Sequence, residues 1–447
     1  MHDTGHIVGF VPIARPTFDL ELAGEVTRQV RAQLTAEGLS LAGPEALVST
    51  LDQTRAVARS FMEQPLDLLI VFQATFADST LALHLAEQVD APLLLWAVPE
   101  ERTGGRLRLN SLCGINLAGH ALTRAGHLYD YVYARPDDPA ALERVCALAK
   151  AGRVRRLLRK TRIGRIGENP EGFTSCLLDR EGLRQRLGLD VVHCDLKQVF
   201  EEARLVDPQQ VDDMAATLGS RLDGLDRLDQ GALRGTLGVY LALERLASRE
   251  RLSGLAVRCW PEFFTELGCA ACGAMSMLSD EMIPCGCEAD VNGTVTQFIL
   301  QTISGEPAFG SDLVSFDVEA DHAVLWHCGL APLSMADPAA RPRGTIHSNR
   351  RLPLLMEFPL KPGPVTLARL SQATGDYRLV IGRGEMLQAP PSFSGTSGVL
   401  RFERPAGEVL DTILSQGLEH HISLTYGDHL AALAALAKLL HIPVLYL

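Results

Sequence analysis

Leu66-Asp-Leu-Leu-Ile-Val-Phe72, the helical pattern over 79–88, and Ala91-Pro-Leu-Leu-Leu-Trp-Ala-Val98 decide the fold class. The first run reads as a strand buried on both faces, and the third as another. Two such strands joined through a helix form a parallel crossover unit. The rhythm extends back to a strand at 7–11 and a helix over 19–37. The amino-terminal part therefore reads as α/β, with a parallel sheet covered by helices on both sides. Ligands of such sheets gather at the carboxyl ends of strands. Here those ends carry residues 12–16, 73–78 and 99–105.

A second α/β unit follows. Residues 189–196 and 254–260 read as strands, with helices between 199 and 249, and the 261–312 region and a strand at 323–329 complete it. Between the units, 153–165 reads as a basic helical segment, better suited to a solvated face or a subunit contact than to nucleic acid. Residues 338–351, rich in Pro, Arg and Gly, read as a linker. Beyond it, short strands at 354–359, 363–370, 377–382 and 398–404 suggest a small antiparallel sheet or barrel. A strand at 422–426, a helix over 428–441 and a strand at 443–447 close the chain. The expected fold is two parallel-sheet α/β domains, 1–165 and 166–345, followed by a β-rich, small-barrel domain, 346–447.

A length of 447 residues suits two or three domains. The net charge of −12, with no long basic run, argues against nucleic acid and against an anionic membrane surface as partners. The apolar runs are too short or too interrupted to cross a bilayer. The first residues lack the basic and apolar regions of a signal peptide, so a cytoplasmic protein is expected. No glycine-rich dinucleotide fingerprint follows a strand and no Walker A pattern occurs, so neither cofactor is expected. Residues 110–114 form a loop entering a helix, whose amino terminus either holds a polar group or is simply capped.

The chemistry concentrates in Cys285-Gly-Cys-Glu-Ala-Asp-Val-Asn-Gly293. Glu288 and Asp290 stand at the mouth of a helix over 293–303, and Asp312 lies 24 residues beyond Glu288. Acidic side chains favour a helix amino terminus, so either can be a cap. Carboxylates brought together from two elements can also hold a divalent cation and move protons. A helix over 292–303 is ~18 Å long. Asp312 reaches back to Glu288 only if the connection is nearly extended, at ~3.3 Å per residue. Further on, His420 and His421 lie in a strand-like context, where neighbours face opposite sides and at most one enters a given site. His327 ends an apolar strand just before Gly329, a position where active-site residues and buried structural histidines both occur.

Ten cysteines offer a rival. Cys113, Cys146, Cys176, Cys194, Cys259 and Cys328 are scattered in apolar contexts and read as small buried residues in a reducing compartment. Cys269, Cys272, Cys285 and Cys287 are closely spaced and admit a structural zinc site in a non-catalytic ligand-binding protein.

The segments Cys259-Trp-Pro-Glu-Phe-Phe264, Leu278-Ser-Asp-Glu, Cys287-Glu-Ala-Asp-Val-Asn-Gly293, Gly305-Glu-Pro-Ala-Phe, Asp312, Trp326-His-Cys-Gly329 and Glu419-His-His-Ile-Ser-Leu-Thr-Tyr-Gly-Asp428 resemble the L-fucose isomerase-like proteins, a superfamily that includes the L-arabinose isomerases. The resemblance runs from about Cys259 to the carboxyl end and is looser before it. It implies a divalent ion, Mn2+ or a similar one such as Mg2+ or Co2+, held by Glu288, Asp312 and His421. Asp312 matches the fucose branch, where the arabinose branch has Glu. It also implies aldose–ketose isomerisation of a monosaccharide (a pentose, a 6-deoxyhexose or a modified hexose) through a metal-bound enediolate. Glu288 and Asp312 would carry the proton between C1 and C2. His327 looks like an additional histidine of the arabinose branch. His327, Trp260 and His420 are expected to contact substrate, and Arg15 to do so from a neighbouring subunit of a homo-oligomer, commonly a hexamer. The chain is shorter than typical L-fucose isomerases. In this it is similar to the compact sulfosugar (sulfoquinovose-type) isomerases of the superfamily.

Overall fold

The computed structural model describes residues 5–447; residues 1–4, which enter the signal-peptide expectation, lie outside the described residues. Strands β1 (His6–Ile13), β2 (Leu39–Ala42), β3 (Leu68–Gln73), β4 (Leu93–Ala97) and β5 (Asp130–Tyr133) form a parallel sheet in the order β2-β1-β3-β4-β5. Successive residues feed opposite faces. Phe10, Phe72 and Trp96 pack with Val30 and Leu34 of the Leu20–Ala36 helix. Val11, Val71 and Leu95 pack with Leu81 and Leu85 of the Ser79–Gln88 helix. Strands β3 and β4 are buried at every position, as their unbroken apolar runs require. The loop entering the Ser111–Arg124 helix is held from within, because the Glu100 carboxylate accepts the backbone N–H groups of Arg108, Leu109 and Asn110 at 2.7–3.2 Å.

The basic segment 153–165 is not one helix. The Pro139–Leu158 helix ends there and β6 (Arg162–Ile166) begins. Nor is its charge all solvated: Arg156 binds the carboxylate of Asp67 at 2.7–2.8 Å. Asp67 is wholly buried, and a buried carboxylate demands a cation.

With β6, strands β7 (Asp190–Cys194), β8 (Gly254–Val257) and β9 (Cys285–Gly286) make the second parallel sheet, ordered β7-β6-β8-β9. The remaining strands are β10 (Phe309–Asp317), β11 (His322–His327), β12 (Arg343–Thr345), β13 (Leu355–Pro359), β14 (Gly363–Ser371), β15 (Arg378–Leu387), β16 (Thr396–Phe402), β17 (His421–Tyr426) and β18 (Val444–Tyr446). Six of them, β16-β11-β10-β17-β14-β15, close on themselves through the β15–β16 pairing, every neighbour antiparallel. The architecture is thus two parallel-sheet α/β domains and a closed antiparallel barrel.

Two local readings are corrected. The strand at 323–329, read as part of the central α/β unit, is β11 of the barrel. Its alternating burial suits an antiparallel sheet with one covered face, not a parallel sheet buried on both. The stretch 338–351 is no free linker, since it contains β12, which pairs with β13.

The described chain forms two compact units, one running through Leu157 and including Ala431–Leu439, the other Leu158–Leu430 with Leu440–Leu447. In the second unit one core runs from Leu255 and Val257 of the central sheet to Phe309, Leu325, Leu367 and Leu424 of the barrel. The Val291–Ser304 helix, buried along most of its length, packs on β8 and on β14 and β17. After β17 the Leu430–Leu440 helix lends Ala435 and Leu439 to the core of the first unit, and β18 returns to the barrel. Among the described residues no helix is long and apolar enough to cross a membrane.

Candidate active site

Register, not proximity in sequence, builds the centre of the site. In the antiparallel β10–β17 pair, Asp312 stands directly opposite His421. Directly opposed side chains are nearest neighbours on a sheet. The connection after the Val291–Ser304 helix returns as extended strand from Phe309, which supplies the reach that Asp312 needs. His421 Nε2 lies 3.6 Å from Asp312 Oδ1 and 3.7 Å from Glu288 Oε2.

Glu288 arrives from the turn after β9, at the carboxyl edge of the second sheet. Its backbone is left-handed (φ 57°, ψ 27°), and Ala289 follows at φ 55°. Two successive non-glycine residues in this region are strained, and such strain concentrates at functional sites. Asn169, three residues beyond β6, holds the turn by donating its side-chain amide to the carbonyls of Glu288 (2.8 Å) and Ala289 (3.1 Å). The Trp260 indole N–H donates to Glu288 Oε1 at 3.2 Å. Three loops leaving the carboxyl ends of parallel strands therefore converge on Glu288 and its turn, where this architecture places ligands.

Asp290 does two jobs. It caps the Val291–Ser304 helix by accepting the Gly293 N–H at 2.9 Å, and it holds His421 Nδ1 at 2.8 Å. Arg369 of β14 grips the same carboxylate at 2.5 and 3.2 Å. Gly293 leaves room for that pair: a Cβ there would lie 2.5 Å from Asp290 Oδ2 and 2.9 Å from Arg369 Nη1. Burial opposes the charge on Asp290, but Arg369 and His421 prevail and hold its carboxyl well below the usual carboxylate range. Burial likewise opposes the imidazolium of His421, yet Asp290, Cys176 and Asp312 outweigh it and raise the ring well above its usual value. Burial pushes the Asp312 carboxyl up, against the pull of His421 and His420.

The His420–His421 pair departs from strand alternation. His420 lies just before β17, so its ring is free to turn back, and the two ring centroids are 4.1 Å apart. His420 Nε2 is 3.2 Å from Glu288 Oε2 while its Nδ1 meets Ser175 Oγ at 2.8 Å. Both histidines therefore reach one carboxylate, against the expectation of at most one. His327 is buried at the end of β11, with Nδ1 accepting the Cys328 N–H at 2.8 Å. One of its ring nitrogens lies within 4.8 Å of the ligand atoms of Asp312 and His421. Trp260 takes the edge of Phe173 at 5.3 Å, and Phe173 also abuts His420 at 6.0 Å. Arg15 is an exposed residue of the first unit, just past β1, with its backbone N–H on Thr75 Oγ1 at 2.8 Å.

Two groups of side chains can hold a metal among the described residues: Cys176, Glu288, His420 and His421, and Asp312, His327 and His421. The donors on the His421 Nε2 side fit a hard divalent ion. They are two carboxylates and an imidazole, the donor types such an ion takes; Glu288 and Asp312 fall in different groups, and His421, within 3.7 Å of both, is common to the two. Asp312 Oδ1 is buried with no hydrogen-bond partner, an orphan acceptor that a cation would satisfy. Cys176 lies 3.9 Å from Nδ1, the other nitrogen, and burial pushes its thiol up, away from the thiolate a soft metal needs.

The four-thiol zinc reading does not survive. None of Cys269, Cys272, Cys285 and Cys287 belongs to either group. The Cys272 sulfur faces Cys328 at 3.3 Å and that of Cys287 faces Cys259 at 2.7 Å, so the close spacings serve different neighbours.

Sequence reasoning missed Asn169, Ser175, Cys176 and Arg369, and saw only the cap in Asp290. Arg369 had a signal, a lone charge inside the apolar strand Val-Thr-Leu-Ala-Arg-Leu370. The 169–176 residues had none.

The chain is similar to known proteins over nearly its whole length. Residues 9–157 match the family described as "Fucose/sulfoquinovose isomerase, N-terminal domain", and residues 356–447 match "L-fucose isomerase, C-terminal domain". The chain is 32% identical to the sulfoquinovose isomerase of Priestia aryabhattai over 436 residues, 97% of each chain. It is 32% identical to that of Alkalicoccus urumqiensis, covering 97% of this chain and 98% of the relative. A third, from Clostridium sp. (strain MSTE9), is 30% identical over 440 residues.

Proposed function

Because the chain belongs to the fucose/sulfoquinovose isomerase family, and is thus a sugar isomerase interconverting aldose and ketose, we propose that it acts on a 6-sulfonated aldose with a divalent ion held by Glu288, Asp312 and His421. The observation that carries the metal is the placement of Glu288 Oε2 and Asp312 Oδ1 at 3.7 and 3.6 Å from His421 Nε2, the second oxygen being buried and unpartnered. The substrate class is the one for which the relatives are named.

A divalent ion such as Mn2+ would polarise two neighbouring substrate oxygens and so acidify the adjoining C–H bond. The chain's own groups do the rest. Aldose–ketose interconversion moves one proton between C1 and C2, and a carboxylate beside both carbons can take and return it. Asp312, whose carboxyl is raised by burial, is suited to hold that proton. Glu288, fixed by Trp260 and Asn169, presents the second carboxylate. The aromatic wall of Phe173 and Trp260 keeps water from one side of the substrate. Arg15 would complete the site of a neighbouring subunit in a homo-oligomer.

The test is ketose formation from 6-sulfonated glucose with and without added Mn2+, repeated after EDTA treatment. Glu288→Gln and Asp312→Asn should each abolish turnover in a protein of unchanged circular dichroism. Near-wild-type turnover in either variant would reject the assignment, and EDTA-resistant activity would reject the metal.

A further inference from the structure

Arg350 stands out among the guanidinium groups around the site. It lies between β12 and β13, with its charged carbon 4.8 Å from the Trp260 ring centre and 5.2 Å from that of Phe264. Its Nη1 is 3.1 Å from His347 Nε2. His347 is buried, and its Nδ1 accepts the N–H groups of Asn349 and Arg350 at 3.2 and 3.3 Å, which pins the turn. Burial and the neighbouring guanidinium push the His347 pKa down to about 4, so the ring is neutral and brings no charge of its own to Arg350. Two aromatic faces thus hold the arginine, with a neutral imidazole beside it.

None of these partners carries negative charge. Three other guanidinium groups around the site are neutralised: Arg165 by Glu168 at 2.5 Å, Arg258 by Glu262 at 2.8 Å, and Arg369 by Asp290 at 2.5 Å. Arg350 has no carboxylate partner among the described ion pairs. The indole of Trp260 joins the two ends of the site, with its N–H on Glu288 and its face against Arg350. A substrate with an anionic tail is repelled by Glu288 and Asp312 and needs an unspent cation at its far end.

We propose that Arg350 is the specificity-determining residue that binds the anionic tail, a sulfonate on C6, of an aldose whose C1–C2 end lies at Glu288 and Asp312. The planar guanidinium suits a sulfonate because its parallel N–H groups match two oxygens of the tetrahedral anion. This assignment rests on the isomerase reading given above.

The experiment compares Arg350→Met, which keeps a flexible apolar chain against Trp260 and Phe264, with the wild type. Ketose formation is followed for 6-sulfonated glucose and for glucose, each with Mn2+. The expected result is a fall of about 10–100-fold in kcat/KM for the sulfonated sugar, mostly through KM, with the value for glucose within about threefold of wild type. Arg350→Lys should fall between, and serves as the test if Arg350→Met fails to give a wild-type circular dichroism spectrum. Equal losses on both sugars, or none on either, would overturn the assignment and leave the isomerase reading intact. Wild-type turnover of glucose but not of its 6-sulfonate would do the same. A wild-type protein inactive on every aldose with added divalent ion would overturn both.

Discussion

Asp290→Asn should weaken metal binding without removing a ligand. The wild-type carboxylate accepts four hydrogen bonds. Oδ1 takes Gly293 N–H at 2.9 Å and Arg369 Nη2 at 3.2 Å; Oδ2 takes Arg369 Nη1 at 2.5 Å and His421 Nδ1 at 2.8 Å. An amide of the same shape has one accepting end and one donating end. With its oxygen toward Gly293, it turns an N–H toward His421, whose Nδ1 must then accept. The ring proton moves to Nε2, the nitrogen that faces Glu288 and Asp312. Turned the other way, the amide opposes the Gly293 N–H and gives up a helix cap of about 1 kcal/mol. Either way Arg369, whose side chain is 3% exposed, loses its main counter-charge. Breaking a buried pair costs about 3–5 kcal/mol; Glu419, 3.9 Å from Arg369 Nε, offsets part of it. The Kd for Mn2+ should rise about 10–100-fold, as for other partners that orient a ligating histidine, or roughly 1.4–2.8 kcal/mol. Electron paramagnetic resonance of free Mn2+ reads the affinity and urea unfolding reads the stability, so the two effects separate. Wild-type Mn2+ affinity in folded Asp290→Asn protein would refute the reasoning and leave Asp290 as a cap and an arginine partner only.

Metal affinity should fall with acid. His421 is raised above its usual value, and an ion can take Nε2 only after the ring gives up a proton, so each pH unit below that raised value should cost roughly tenfold in affinity; equal affinities at about pH 6 and pH 8 by calorimetry would contradict this. Trp260→Phe keeps the ring against Phe173 but removes the 3.2 Å N–H bond to Glu288. A hydrogen bond to a charged group is worth about 1.5–3 kcal/mol, so kcat/KM should drop roughly 10–100-fold; an unchanged value would take Trp260 out of the site.

Much of this molecule is legible in the sequence because its strands follow simple burial rules. The continuous apolar runs at β3 and β4 announce a parallel sheet, and the short strands after residue 354 announce the barrel. The strands β10 and β11 were harder, since a hairpin joining a barrel carries the same local pattern as one ending an α/β unit. Only the long-range register, with Asp312 opposite His421 and Trp326, assigns them. The same limit governs the site. Glu288 and Asp312 stand out by spacing and His421 by resemblance to a family. Asn169 and Cys176 come from a loop more than a hundred residues before Glu288, and only the closed tertiary structure brings them to it. The left-handed backbone of Glu288 has no sequence signal either, because no glycine marks it.

The helix that follows β17 has a consequence for the order in which the protein can mature. The first unit, whose sheet is complete by Tyr133, draws its last core residues, Ala435 and Leu439, from a segment made some three hundred residues later. During synthesis that unit must wait, with this flank uncovered, until almost the whole chain has left the ribosome. The strand carrying His421 emerges just ahead of the same segment, so the last side chain of the site and the last side chains of the first core arrive together. A chain cut after Tyr426 would keep Glu288, Asp312 and His421 yet lack a piece of both units. Such a fragment should be captured by chaperones or proteases rather than accumulate as a partly active enzyme.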